Sequence, residues 1–151
     1  MPKITALTEN TSPALEDLLY GVDDPGGTPA SRKMTVQSVV NTLEINAQTS
    51  TTYTAVLGDR AKLITMNNAS ANTLTIPTNA SVAYPIGTCL LVQQIGAGAT
   101  TIAGATGVTL QGAGQSVSAG SCAISAQYDL ATCLKTGTNT WLVQGAVGAI
   151  S

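Results

Sequence analysis

The chain reads as mainly β: a short N-terminal ββα arm followed by an antiparallel β-sandwich or barrel knob. Three observations predict this. From residue 53 onward, short β-type runs alternate with turn residues. The runs lie roughly 8–12 residues apart, the rhythm of an all-β sandwich or barrel. No helical period is convincing there. Charge is also partitioned: residues 63–128 contain no Asp, Glu, Lys or Arg, and the whole sequence has no His.

In the arm, residues 4–7 and 17–23 are strand candidates. Asp24-Pro25-Gly26-Gly27 is a strong turn signal, because Pro presets φ at one turn position and Gly permits positive φ at the next. Residues 30–35 are expected to pair back as a hairpin. Thr35 is placed to cap a short helix over 36–43. Its Val36, Val39, Val40 and Leu43 fall at i, i+3, i+4 and i+7 on one face. So small a unit buries little by itself and reads as a docking arm, residues 1–45. Residues 46–52 are a polar linker into the knob, 46–151.

Expected knob strands are 52–56, 62–66, 73–76, 89–95, 100–103, 108–110, 116–118, 122–128, 130–135 and 140–144. The charged patch from Asp59 to Lys62 reads as a tight turn. Asn67-Asn68-Ala69-Ser70 and Asn79-Ala80-Ser81 read as two turns flanking one strand. A solenoid needs a fixed period over at least three copies, and none is found.

Composition narrows the functional classes. Hydrophobic residues make up 44% of the chain but aromatics only 3%, with no Phe. A core of Ala, Val, Leu and Ile is built of small pieces, and oligomerisation is one usual remedy. An uncharged surface can be covered by a copy of itself with little charge to desolvate. The net charge is −2 without a basic cluster, which argues against nucleic-acid binding through phosphates. No apolar run approaches a membrane span. Met1-Pro2-Lys3-Ile4-Thr5 lacks a following apolar region, so synthesis in a cytoplasm without a classical export signal is expected.

Candidate chemistry is sparse. Cys89, Cys122 and Cys133 show no CxxC spacing and have no His to share a metal, so they read as buried small hydrophobes. Gly96-Ala97-Gly98-Ala99-Thr100-Thr101 follows an apolar strand like a phosphate loop. Thr101, however, stands where the dinucleotide fingerprint needs Gly, and no Gly-Lys-Ser/Thr follows. Hairpin turns explain it better. Glu16-Asp17 and Asp23-Asp24 are adjacent carboxylates, which point to opposite faces of a strand and make no acid/base dyad. A serine nucleophile would need Lys62 or Lys135 as its base, and nothing local supports either. The Asn-X-Ser/Thr matches at Asn10, Asn68 and Asn79 read as chance. Trp141 reads as a core or interface anchor, with a glycan-stacking platform as the functional alternative.

Two segments carry a resemblance. Asp17-Leu18-Leu19-Tyr20-Gly21-Val22-Asp23-Asp24-Pro25-Gly26-Gly27-Thr28-Pro29-Ala30-Ser31-Arg32-Lys33-Met34-Thr35-Val36 resembles the N-terminal segment of many tailed-phage virion proteins. There, a D-x-L…V-D-D-P…G-T-P…K-K-I/M-T pattern leads into a short helix. The second begins with Met66-Asn67-Asn68-Ala69-Ser70-Ala71-Asn72-Thr73-Leu74-Thr75-Ile76-Pro77 and continues through Tyr84-Pro85-Ile86-Gly87-Thr88 and Gly98-Ala99-Thr100-Thr101-Ile102. It ends with Tyr128-Asp129-Leu130-Ala131-Thr132 and Trp141. It is similar to a β domain of phage fibres and head-decoration proteins.

The resemblance implies a virion structural protein, assembled as a homotrimer and not an enzyme, with no cofactor and no metal. Fibres and spikes usually carry a long shaft or β-helix, and this chain has room for neither. A capsid decoration (cement) protein is therefore the first expectation. It would be made in the host cytoplasm and sit on the outer surface of the head, bound to the major capsid protein and to itself, with no nucleic acid and no membrane. The alternative is a short tail fibre or adhesin on the host surface; a host glycan is the partner class left open. Capsid anchoring is expected of Leu18, Leu19, Tyr20, Val22 and Lys33, and Trp141 is the expected trimer or core anchor.

Overall fold

The computed structural model describes the backbone of Leu18–Asp23 and Ala30–Thr35, and residues 43–151 in full. The chain divides into two compact units, Met1–Thr42 and Leu43–Ser151. In the first, β1 (Leu18–Asp23) and β2 (Ala30–Thr35) form an antiparallel pair, with Leu18 opposite Thr35 and Asp23 opposite Ala30. This is the expected hairpin. The strand expected at 4–7, the turn at 24–27 and all but the last residue of the helix expected at 36–43 lie outside the described residues.

The second unit is all strand, turn and one 3-10 turn. Its strands are β3 (Glu44–Gln48), β4 (Thr52–Thr54), β5 (Lys62–Met66), β6 (Asn72–Ile76), β7 (Cys89–Gln94) and β8 (Thr100–Gly104). They are followed by β9 (Thr109–Gly112), β10 (Gln115–Ser118), β11 (Ser121–Ala123), β12 (Leu130–Gly137) and β13 (Thr140–Gly145). A seven-stranded sheet has the order β10-β9-β13-β12-β7-β5-β3, and a four-stranded sheet the order β11-β8-β6-β4.

The antiparallel knob expected from the sequence is corrected to a mixed one. From β3 to β8 the chain alternates between the two sheets, so strands that neighbour each other within a sheet run parallel. Parallel neighbours need a crossover where antiparallel ones need only a hairpin, and here the crossover is a strand of the other sheet. From β3 to β8 the turns between runs are corners between sheets, not hairpins. Antiparallel pairing enters later, at β9–β10, β8–β11, β12–β13 and β12–β7.

This winding has unequal turns. Glu44 pairs with Lys62, whereas Leu63 pairs with Leu91. The extra length of the second turn lies in the 77–88 loop, which hides the repeat in the sequence. The polar linker expected at 46–52 is corrected as well: most of it belongs to β3 and the corner into β4. β3 escapes a pattern reading because its inward positions, Asn46 and Gln48, are polar and only half-buried. The strand expected at 122–128 shrinks to β11, followed by an isolated bridge from Ile124 to Val147.

Period-2 alternation gives one core to which both sheets contribute. Ile64, Met66, Leu90, Val92, Leu110, Ala131, Cys133, Trp141 and Val143 come from the larger sheet, and Leu74, Ile76, Ile102 and Cys122 from the smaller. Trp141 is 1% exposed and meets Tyr84 edge to face, with ring centroids 5.4 Å apart, a favoured aromatic geometry.

The corners stack on one another through main-chain hydrogen bonds. Asn67 N–H donates to Gln48 O (2.7 Å) and Thr73 N–H to Thr51 O (2.9 Å). At the β7–β8 corner, Ile95 and Gly96 N–H donate to Met66 O, and Gly98 N–H to Asn68 O (3.0 Å). Asn68 also reaches back, its Nδ2 donating to Thr49 O (2.7 Å). A Cβ on Gly96 would lie 2.1 Å from Asn68 O, and one on Gly98 2.0 Å from Ser70 O. Only glycine permits this approach. Gly98→Ala is expected to lower stability by about 1–3 kcal/mol, the cost of overpacking, read as a lower urea midpoint of the full chain. An unchanged midpoint would show that the corners do not bear on each other.

Candidate functional site

The sequence-predicted anchoring residues fall on the β1–β2 hairpin. Tyr20 pairs with Lys33 and Val22 with Ser31, while Leu18 and Leu19 pair with Thr35 and Met34. The hairpin thus brings Tyr20 and Lys33 to one register position. Trp141 belongs to the other unit, among its core residues; its ring is enclosed by the chain and not offered as a stacking platform.

The most built polar feature of the second unit is one the sequence reading missed. Asp59 and Lys135 are each 2% exposed. Asp59 ends the 3-10 turn Leu57–Asp59. Its Oδ1 accepts from Asn46 Nδ2 (2.7 Å), and its Oδ2 from the Tyr53 hydroxyl (2.9 Å) and Val56 N–H (2.8 Å). Asn46 Nδ2 also donates to the Tyr53 hydroxyl (2.9 Å), and Gln48 Nε2 to Asn46 Oδ1 (2.6 Å). The carboxylate is therefore solvated by neutral donors, and these donors tie β3 and β4 to the turn.

Lys135 is the counterpart. Its Nζ donates to Asn79 Oδ1 (2.5 Å) and Tyr84 O (2.6 Å) and lies 6.0 Å from the Trp141 ring centroid, at the outer limit of a cation–π contact. Tyr84 links the two buried charges: its hydroxyl donates to Val56 O, while its carbonyl accepts from Lys135. Asn79 is itself fixed by its N–H donating to Asn139 Oδ1 (2.7 Å). The network pins the 77–88 loop across β12 and β13. Its sequence signal was the rarity of charge itself: Asp59 and Lys135 are two of only five charged residues after residue 44.

These contacts bear on the chemistry considered above. No serine hydroxyl is among the hydrogen-bond partners of Lys135, and Lys62 pairs with Glu44 at 3.1 Å. The N–H groups of Gly96 and Gly98, which would face an anion in a phosphate loop, are spent on Met66 O and Asn68 O. Behind them, Asn72, Thr100 and Gln94 form a second buried set. Thr100 Oγ1 donates to Asn72 Oδ1 (2.8 Å) and Thr100 N–H to Gln94 Oε1 (3.0 Å). Cys122 and Cys133 are buried and Cys89 is exposed, all three as free thiols. Among the described residues, no group of His, Cys, Asp and Glu is arranged to hold a metal.

The outer faces of both sheets are neutral. On the smaller sheet, Thr52, Thr73, Thr101 and Ala123 form one cross-strand row, and Thr54, Thr75, Ala103 and Ser121 the next. On the larger sheet, Ile45, Leu63, Leu91 and Thr132 form one row, and Cys89, Leu134, Leu142 and Gln111 another. Beside the first of these two rows lies a third of Ala47, Thr65, Gln93 and Leu130, so one face is lined with hydroxyls and methyls, while the other mixes leucines with Thr and Gln.

No protein family matches the chain, and no curated protein matches it.

Two outcomes are expected of the buried groups. Lys135→Met leaves Asn79 Oδ1 and Tyr84 O without their donor and should lower stability by about 1–3 kcal/mol, measured by urea unfolding. Stability should also fall in alkali. Burial raises the Cys133 and Cys122 thiols. Burial also raises the Tyr84 phenol, reinforced by the Asp59 charge, and the Tyr53 phenol, reinforced by its hydrogen bond to Asp59. A group whose pKa is higher in the folded state stabilises the fold below its unfolded pKa and stops doing so as pH rises toward its folded pKa. Burial lowers Lys135, which acts in the opposite sense. With four groups against one, melting temperature should decline above about pH 9–10, where unfolded thiols and phenols ionise. A melting temperature that rises through this range contradicts the assignment.

Proposed function

We propose that the chain is a phage capsid decoration (cement) protein that binds the head shell as a homotrimer and stabilises it. The observation that carries this reading is the contrast between its parts. Most of the charge and the sequence pattern of a virion-attachment segment lie in residues 1–44. The body that follows is a wound β unit with neutral outer faces and its few buried charges already satisfied. Such a body is suited to being packed against. We read its two sheets as the layers of a sandwich-like knob.

The mechanism rests on attachment and linkage. Each hairpin adds strand and side-chain contacts to the major capsid protein, with Leu18, Leu19, Tyr20, Val22 and Lys33 as the anchoring set. Three hairpins joined in one trimer bind at high effective concentration, so weak contacts become a lasting clamp. A protein that binds only the assembled shell stabilises it by mass action. Nothing in this scheme asks for a catalytic group or a cofactor.

The competing reading is a short tail fibre or adhesin that binds the host surface. Copy number separates the two. A quantitative gel of purified particles should show this chain in fixed, near-stoichiometric ratio to the shell protein. A handful of copies per particle overturns the cement reading in favour of the adhesin. Removing residues 1–42 leaves β3 whole and should abolish binding to particles; retained binding overturns the hairpin as the anchor.

A further inference from the structure

We infer that the outer face of the seven-stranded sheet, centred on Leu91 and Leu134, is where copies of this chain pack against one another. This assignment rests on the homotrimer reading above and supplies its seam. The face is built by register. Ile45, Leu63 and Leu91 lie side by side across β3, β5 and β7. Cys89, Leu134 and Leu142 lie side by side across β7, β12 and β13. Leu130, at the end of β12, adds to the same side through its pairing with Gln93. Ile45 is 67% exposed and Leu130 39%, and Leu63, Leu91, Leu134 and Leu142 are each partly exposed.

Three features argue for a second copy as the occupant. The first is size. Seven strands about 4.8 Å apart and about 17 Å long give a face of roughly 29 by 17 Å. That projection, about 490 Å², is over half of the ~800 Å² per partner of a stable interface. The second is charge. The face has no Asp, Glu, Lys or Arg, while the Glu44–Lys62 ion pair and Asp129 stand at its margin. A charge-depleted centre inside a polar rim is the anatomy of a protein interface. A charged partner would lose hydration here without meeting a counter-charge, whereas a copy of this face brings none. The third is contrast. The outer face of the smaller sheet is lined by Thr, Ala and Ser, so of the two sheet faces only the larger carries leucines.

Cys89 provides a built-in reporter, being the exposed thiol on this face while Cys122 and Cys133 are buried. The experiment uses the full chain in light-scattering chromatography, with maleimide labelling of the native thiols. The unaltered protein should run as a trimer. Its Cys89 should react at least tenfold more slowly than in Leu91→Glu or Leu134→Glu. Those variants should run as monomers, while Thr73→Glu, on the other sheet, should remain trimeric. A trimer in which Cys89 reacts freely, or which survives Leu91→Glu, overturns this face but leaves the homotrimer reading standing. A monomeric unaltered protein overturns both. If the Glu variants fail to fold, the labelling rate of Cys89 in the unaltered trimer, against that in urea, decides alone.

Discussion

Gly96 and Gly98 let the corner between β7 and β8 lie directly against the corner between β5 and β6, and the two-sheet winding depends on that approach. Each corner carries the chain from one sheet to the other, so its position sets the register of the strands on both sides. With Gly96 and Gly98 N–H bound to Met66 O and Asn68 O, β7 falls beside β5 and β8 beside β6. A side chain at either glycine would push the corner outward and loosen both parallel pairings together. The Asn72, Thr100 and Gln94 side chains close the space behind the corner with hydrogen bonds, and among the described residues no buried side-chain nitrogen or oxygen is left without a partner.

The two buried charges act at the opposite end of these strands. Asp59 and Lys135 are of opposite sign, yet each is satisfied by neutral partners and not by the other. Burying an ion is tolerable only when its hydrogen-bonding capacity is met. Here amide, hydroxyl and main-chain groups do that, with Tyr84 serving both sides. This arrangement fixes geometry. It holds the longest loop, 77–88, and the edge strand β3 in single positions, two places where a chain of small apolar residues has least packing to offer.

Much of the second unit was legible in the sequence. Short β-type runs bounded by turn residues located β5, β6, β7, β12 and β13 within a residue or two, and the structure shows Ile64, Leu74, Val92, Cys133 and Trp141 each buried between more exposed neighbours. Strand direction was not legible, since a period of two is the same in parallel and antiparallel sheets. The winding was hidden by the 77–88 loop, which breaks the repeat length. β3 was read as linker because its inward residues are polar, and they are polar because they serve Asp59. The candidate anchoring hairpin was visible from Asp24-Pro25-Gly26-Gly27 and its flanking strands. The buried network was not: its members lie far apart in sequence and become one system only after folding.

β3 is bonded on one side only, to β5, and it is where the chain enters the wound unit at Leu43. Tension arriving along the chain from residue 43 therefore meets β3 before any other strand. β3 can peel away at the cost of its pairing with β5 alone, while β7, β12 and β13 keep both of their neighbours. Its release breaks the Asn46 contacts to Asp59 and Tyr53 but leaves Trp141 and the corner glycines untouched. The strand at which the chain enters this unit is thus held by a single neighbour, and its separation would leave the rest of the sheet paired.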